Sequence, residues 1–515
     1  MVKKVRTISN LWLDWFVITV EADMSRSLPW IDIVGLPDAS VKESKERIKS
    51  VFKNLNISLP PRKIILNLAP SDLKKIGTRF DLAMAVAIYL LISEIDETQI
   101  PHLQDAVFLW ELGLDWSVRP VSWILPSIIS WYKKWVKRFF VPQANLEEAK
   151  YIKWIQLKGV ENFEELLHFF TNSQSVDFID TSKIKNKLKP QLNYPINFED
   201  IKGHFVVKRA LMIAAAGLHN ILLVGPPWSG KSMLLKALPS ILPPMNFDEV
   251  LQTSQIYSLV GKLDQKTPLI VARPFRHVHH TASKVAIVGW GSHLTPWEVS
   301  LAHNGVLFFD ELPEFPREVL EVLRQPLEDG FVTISRAHWS VRYPASFMFV
   351  AAMNPCKCGY YWDKEKTCSC SLNEIKRYQS KISWPLLDRF DFVLEVHREN
   401  VDKLLDNSLE EQTSEQIREK VQRAWEIQQK RFKNESFKRN AQINAKWIKK
   451  YISLEPEAED FLKQVAKAMV LSPRVIHRLL KTAQTLADLE GESKIKTNHI
   501  AEVVQYRSKE MFVRE

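Results

Sequence analysis

The chain has 515 residues, 46% of them hydrophobic and 25% charged, with a formal net charge of +10. That composition excludes a disordered or collagen-like chain, and the length leaves room for roughly two to four domains, each with its own core. The charge suits a polyanionic partner, nucleic acid above all, and the longest unbroken apolar run, Leu82–Ile92, is too short to span a bilayer.

Lys3, Lys4 and Arg6 precede an apolar stretch, as in a signal peptide. Asp14 interrupts that stretch and no small-residue cleavage site follows, so a cytoplasmic protein with no membrane association is expected. From residue 1 to about 175 strand and helix patterns alternate. WFVITVEAD, IDIVGL and KIILNLAP read as strands, ASVKESKERIKSVFKNL as an amphipathic helix and FDLAMAVAIYLLI as a buried one. The polar, basic stretch 176–197, with KIKNKLKP, reads as a linker. A second α/β region, 198–400, opens with the helical VVKRALMIAAAG and the apolar strand Asn220–Val224. GVLFFDE and FMFVAAMN are two further strands without alternation, the mark of a parallel sheet covered on both faces. From 401 to 515 the chain reads as helices.

The chemistry begins where the Asn220–Val224 strand ends. Gly225, Pro226, Pro227, Trp228, Ser229, Gly230, Lys231 and Ser232 spell a phosphate-binding loop between a strand and a helix. Backbone N–H groups would cradle phosphates, Lys231 would neutralise their charge, and Ser232 would ligate Mg²⁺. Asp310 and Glu311 follow a buried strand, at the sheet edge where ligands bind in open α/β folds. Asp310 would hold the Mg²⁺ and Glu311 would activate the attacking water. Asn354 ends the third strand and suits a γ-phosphate or water contact. Arg389 in LLDRFD and Arg474 in LSPRVIH are either surface ion-pair partners or arginines supplied to a neighbouring subunit's phosphate. Cys356, Cys358, Cys368 and Cys370 form C-x-C-x9-C-x-C, a set of thiolates that suits structural zinc in a reducing compartment, with free thiols or a redox pair as the alternative. His277, Val278, His279 and His280 lack the i, i+4 spacing of a zinc helix and read as loop histidines.

In this order the motifs resemble an AAA+ ATPase of the magnesium-chelatase-like class. VGLPDASVKESKERIKSV, ILNLAPSDLKK, PFRHVHHTAS, SLAHNGVLFFDELPEF, YPASFMFVAAMNPC and TLADLEG are similar, over essentially the whole chain, to the YifB/ComM-type family. The resemblance implies a Lon-protease-like (ribosomal S5 domain 2-like) α/β N-terminal domain, an AAA+ P-loop parallel-sheet core and a C-terminal helical lid. It implies ATP and Mg²⁺, a homo-hexameric ring, Asn354 as sensor 1, Arg389 as arginine finger and Arg474 as sensor 2. It places HVHH in a loop-rich insert. The activity it implies is ATP-driven DNA branch migration on single-stranded or branched DNA, in recombination or natural transformation. A chelatase-type or protein-remodelling ATPase is the alternative. Lon-type Ser–Lys peptide hydrolysis is not expected, because Phe80-Asp81 stands where the nucleophilic serine would open the helix. Lys74 and Lys75 then read as surface or DNA-facing charges.

The chain has 17 Trp but only 15 Gly. Trp116, Trp123, Trp228, Trp290, Trp297, Trp339, Trp362 and Trp384 fall where the family carries glycine, many of them in turn-like settings that disfavour an indole. A gene that reads UGA as glycine, translated with a table that reads it as tryptophan, produces this pattern. On that reading many of these residues are glycine in the natural protein, whereas Trp425 and Trp447, in helical stretches, are genuine. If Trp228 is real, a catalytically impaired DNA-binding ring or stacking platforms for nucleic acid are the competing readings.

Overall fold

The computed structural model describes residues 2–11, 14–73, 75, 77, 80–95, 100, 106–121, 123–132, 137–171, 177–184, 194–263, 268–282, 287, 297–336, 339–363, 365–399 and 411–507. The chain divides into two compact units, Met1–Lys189 with Val250–Ile270, and Pro190–Glu249 with Val271–Glu515.

In the first unit β1 (Lys3–Leu11), β2 (Asp14–Ser25), β3 (Trp30–Val34) and β4 (Lys63–Ala69) form a sheet in the order β1-β2-β4-β3. Burial alternates strictly along KIILNLA, with Ile64, Leu66 and Leu68 on the covered face. Two helices cover it. In α1 (Ala39–Asn54), capped by Asp38 accepting from the Val41 N–H, Val41, Ile48, Val51 and Phe52 are buried. The other, α2 (Asp81–Ile92), is apolar on nearly every side and correspondingly buried. A second sheet runs β8-β7-β6-β5, from β5 (Ala106–Phe108), β6 (Arg138–Pro142), β7 (Gln156–Val160) and β8 (Ile179–Asp180). The stretch read as a linker therefore starts inside this unit, since Ile179–Asp180 pairs antiparallel with β7. Most of KIKNKLKP, and Lys74, lie outside the described residues.

Two expectations for this unit meet the structure at its helix ends. Asp81 opens α2, is fully buried, and receives Arg47 Nε at 2.7 Å and the Ser44 hydroxyl. Burial raises the Asp81 carboxyl's pKa against the pull of those two partners. Lys75 is not a surface charge, as the sequence suggested. Its side chain is fully buried and its ammonium donates to the Pro70 carbonyl, with burial lowering its pKa.

The second unit opens with α3 (Phe205–Gly217) and β9 (Ile221–Val224), followed by α4 (Lys231–Ala237). The strands β10 (Phe275–Val278), β11 (Val306–Phe309), β14 (Met348–Met353) and β15 (Phe392–Glu395) complete a parallel five-stranded sheet in the order β10-β11-β14-β9-β15. Between β11 and β14 the chain makes an antiparallel hairpin of β12 (Phe331–Arg336) and β13 (Trp339–Pro344). HVHH is thus not loop alone, because His277 and Val278 lie in the edge strand β10. The helices α5 (Ser414–Arg431), α6 (Pro456–Ala468), α7 (Pro473–Glu490) and α8 (Thr497–Gln505) follow. Their apolar faces share one core with α3 and the sheet. Trp425 belongs to that core, its indole N–H donating to the Ala215 carbonyl at 3.1 Å with the Arg439 guanidinium over its ring. No helix among the described residues is long and apolar enough to cross a membrane.

Candidate functional site

Strand order builds the site. The phosphate-loop strand β9 lies between β14 and β15, so β14 separates it from β11, which carries the two carboxylates. In a parallel sheet all carboxyl ends share one edge, which gathers Gly225–Ser232, Asp310-Glu311 and Asn354 there. Across that edge the Ser232 hydroxyl donates to Asp310 Oδ2 at 2.7 Å. Two hard oxygens side by side fit one Mg²⁺ ion.

Lys231 is nearly buried in the loop, its ammonium donating to the Gly225 carbonyl at 2.8 Å and the Pro226 carbonyl at 2.7 Å. Burial pulls its pKa down to about 8, with Asp310 opposing. Ser229 is also buried and donates to Pro226 O at 2.9 Å. Trp228, by contrast, is 93% exposed and sits at φ 67°, a left-handed backbone that favours glycine. Gly230, at φ 81°, caps α4. Glu311 follows Asp310 at φ 53°.

The same left-handed backbone appears at two other tryptophans, Trp116 at φ 55° and Trp154 at φ 68°. Trp154, not among the tryptophans matched to family glycines, sits in the turn that follows the short helix Leu146–Ala149. Trp297, at φ −120°, and Trp384, in a helical turn, adopt conformations open to any residue. Trp290 and the side chain of Trp339 lie outside the described residues.

The cysteine segment starts two residues beyond Asn354. Its four thiol sulfurs all lie within 4.8 Å of one another. Cys356 is 3.3 Å from Cys358 and 3.7 Å from Cys368, and Cys358 is 3.5 Å from Cys368. Zinc–sulfur bonds of about 2.3 Å set tetrahedral edges near 3.8 Å, so the set fits one zinc ion. The loop also touches the nucleotide site. A Cβ on Gly359, at φ 86°, would stand 2.6 Å from Pro227 Cδ of the phosphate loop, so only glycine lets the two loops nest.

Arg389 and Arg474 are brought together elsewhere. Both line a cavity of about 970 Å³ with His477, Arg478 and Lys481. Among the described residues its walls contain none of Gly225–Ser232, Asp310 or Glu311. Arg389 Nη2 holds Glu328 at 2.6 Å and Nη1 donates to the Pro385 carbonyl. Asp391 shares this wall; burial pushes its carboxyl up, but His219, Arg478 and Lys481 more than offset this and hold it well below the usual range. The sequence reading missed the roles of Asp391, Arg478 and Lys481, although LLDRFD and the RVIHRLLK spacing carried the charges.

The family profile described as "Magnesium chelatase, subunit ChlI" matches residues 197–404, "Subunit ChlI of Mg-chelatase" matches 20–145, and the ChlI C-terminal profile matches 411–507. The chain is 37% identical over 492 residues to competence protein ComM of Haemophilus influenzae, covering 96% of this chain and 94% of that one. It is 35% identical over 504 residues to YifB of Salmonella typhimurium, covering 98% and 96%. The magnesium-chelatase subunit ChlI of Euglena gracilis is 23% identical over 181 residues, 31% of this chain and 52% of that one. Matches of that extent, on a parallel sheet whose edge gathers a phosphate loop, two carboxylates and an asparagine, place the chain in the YifB/ComM-type, magnesium-chelatase-like AAA+ family.

Proposed function

We propose that the chain is a ring-forming ATPase that couples ATP hydrolysis to DNA remodelling, a branch-migration motor working on single-stranded or branched DNA in the cytoplasm. The observation that carries this reading is the division of the chemistry. Lys231, Ser232, Asp310, Glu311 and Asn354 share one sheet edge, while Arg389 and Arg474 line a separate cavity. A subunit so divided is completed by a neighbour's arginines, which is the logic of a closed ring such as a hexamer.

In this reading Lys231 releases the Gly225 and Pro226 carbonyls for the β- and γ-phosphates of ATP. Ser232 and Asp310 hold Mg²⁺, whose chemistry there is to neutralise phosphate charge. Glu311 orients the attacking water and Asn354 fixes it from the middle strand. Cys356, Cys358, Cys368 and Cys370 hold structural zinc. The first unit is a Lon-like module without peptidase chemistry, supported by Asp81 standing locked to Arg47 at the start of α2.

DNA as the substrate is supported by the charge of +10, by Arg342 on the β12–β13 hairpin, and by the likeness to a competence protein. The likeness to ChlI favours a second reading, a chelatase-type or protein-remodelling motor with the same engine. ATP turnover by the full chain, measured with and without single-stranded, duplex and four-way-junction DNA, decides between them. The first reading expects several-fold stimulation by at least one DNA form; turnover indifferent to all of them removes it.

A further inference from the structure

Asn220 stands at the root of the phosphate-loop strand, one residue before β9, and engages both neighbouring strands with all four of its polar atoms. Its side-chain Oδ1 accepts from the Phe349 N–H of β14 at 2.8 Å, and its Nδ2 donates to the Arg389 carbonyl at 2.9 Å. Its own carbonyl accepts from the N–H groups of Asp391 and Phe392 at 2.9 and 3.1 Å, and its N–H donates to Asp391 Oδ2 at 3.3 Å. These partners fix the amide's orientation. A backbone N–H needs an acceptor and a carbonyl needs a donor, so the oxygen faces β14 and the nitrogen faces Arg389.

The sheet gives the residue its reach. β9 lies between β14 and β15, and Ile221 stands opposite Val350 on one side and Phe392 on the other. The corner 389–391 leads directly into β15, which sets it level with Asn220. The corner is packed as well as hydrogen-bonded, since the Phe390 ring stacks on Phe349 with centroids 5.1 Å apart. One residue earlier, the His219 ring meets Asp391 Oδ2 at 3.1 Å and the Thr485 hydroxyl of α7, the helix that carries Arg474, at 2.8 Å. A guanidinium that must reach a phosphate on another subunit is placed only as well as the main chain that bears it.

We propose that Asn220 is a positioning residue for Arg389, its amide fixing the main chain from which the arginine reaches a neighbouring subunit's nucleotide. The inference rests on the reading of Arg389 as an arginine supplied to that neighbour. The two ends of a four-residue strand then have two duties. Val224 runs into the loop for the subunit's own ATP, and Asn220 sets the arginine for the ATP of the next.

The test uses the full chain carrying Trp228→Gly as parent for Asn220→Ala, Asn220→Asp, Lys231→Ala and Arg389→Ala. The readouts are kcat, the Kd of a fluorescent ATP analogue, and turnover after equal mixing and subunit exchange. Asn220→Ala removes both side-chain contacts, whereas Asn220→Asp keeps an acceptor for Phe349 and loses the donor to Arg389. Each is expected to lower kcat roughly 10- to 100-fold while Kd stays within about twofold, the signature of a misplaced group outside the subunit's own ATP site. The mixtures read what a merely structural role would not give. Either Asn220 variant mixed with Lys231→Ala should regain turnover, because the second chain brings a placed arginine to the first chain's intact loop. Mixed with Arg389→Ala it should not, because neither chain then offers a placed arginine. Recovery with both partners or with neither overturns the role of Asn220, as does an unmixed variant that keeps the parent's kcat. Should the alanine chain not fold, the aspartate chain decides alone. If instead Lys231→Ala and Arg389→Ala fail to restore one another, the reading of Arg389 falls and takes the inference with it.

Discussion

Trp228 and Lys231 sit three residues apart and obey opposite rules. A non-glycine residue held in the left-handed region costs of order 1–3 kcal/mol unless its surroundings compensate, and an indole 93% exposed has little around it to do so. Trp425, buried and hydrogen-bonded at 3.1 Å, is what a tryptophan in use looks like here. Peptide mass spectrometry of the native protein is expected to find glycine at 228, and at 116 and 154 as well. Tryptophan at all three positions would end the recoding explanation. In the chain as written, Trp228→Gly should tighten ATP binding about tenfold or more, read by titration of a fluorescent analogue. Lys231 adds a pH signature. Its free pKa is drawn down to about 8 by burial, whereas a bound phosphate favours the ammonium. ATP binding should therefore take up a proton near pH 8 and weaken as pH rises through that value. Calorimetry in buffers of different ionisation enthalpy measures the uptake; observed heats that do not vary with the buffer at pH 8 would contradict it.

At the scale of elements, the start of α2 shows what one buried carboxylate requires of its neighbours. Asp81, fully buried at the first position of α2, is matched by Arg47 from α1 and by the Ser44 hydroxyl. Removing one member of a buried ion pair strands the other, at a cost of roughly 3–5 kcal/mol. Asp81→Ala should therefore accelerate hydrogen exchange across Ala39–Asn54 and Asp81–Ile92 in the full chain, and unchanged exchange would mean the pair is idle. α1, α2, β4, β9, β11 and β14 were legible because their apolar patterns are either strictly periodic or unbroken. The edge strand β10 was not. FRHV mixes charge, ring and aliphatic side chains, since an edge strand has only part of its surface to bury. Lys75 was unreadable for a different reason: a lysine can be buried when one carbonyl, here that of Pro70, accepts from it, and no local pattern announces that. The placement of the phosphate loop beside the end of β11 was legible from motif and strand together. The approach of His280 Nδ1 to Glu311 Oε2, 3.6 Å, depended on which strand lies next to which.

For the whole molecule, the decisive fact is that, among the described residues, the cavity lined by Arg389 and Arg474 includes none of the phosphate loop. Chains carrying Lys231→Ala and chains carrying Arg389→Ala should each be inactive in ATP turnover. Mixed in equal amounts and allowed to exchange subunits, they should regain activity, because about one interface in four then pairs an intact loop with an intact arginine. No recovery would mean that Arg389 serves its own subunit. Another property also emerges only when distant parts are taken together. Gly359 nests against Pro227 with no space for even a methyl group, which makes the thiol loop and the phosphate loop one mechanical piece. The sulfurs of Cys356, Cys358 and Cys368 stand 3.3–3.7 Å apart, whereas a disulfide needs about 2 Å. If these sulfurs hold the proposed zinc, an oxidant that draws two of them together, or a chelator that strips the ion, would pull on the loop proposed to hold ATP. Reagents with no affinity for nucleotide would then inhibit turnover.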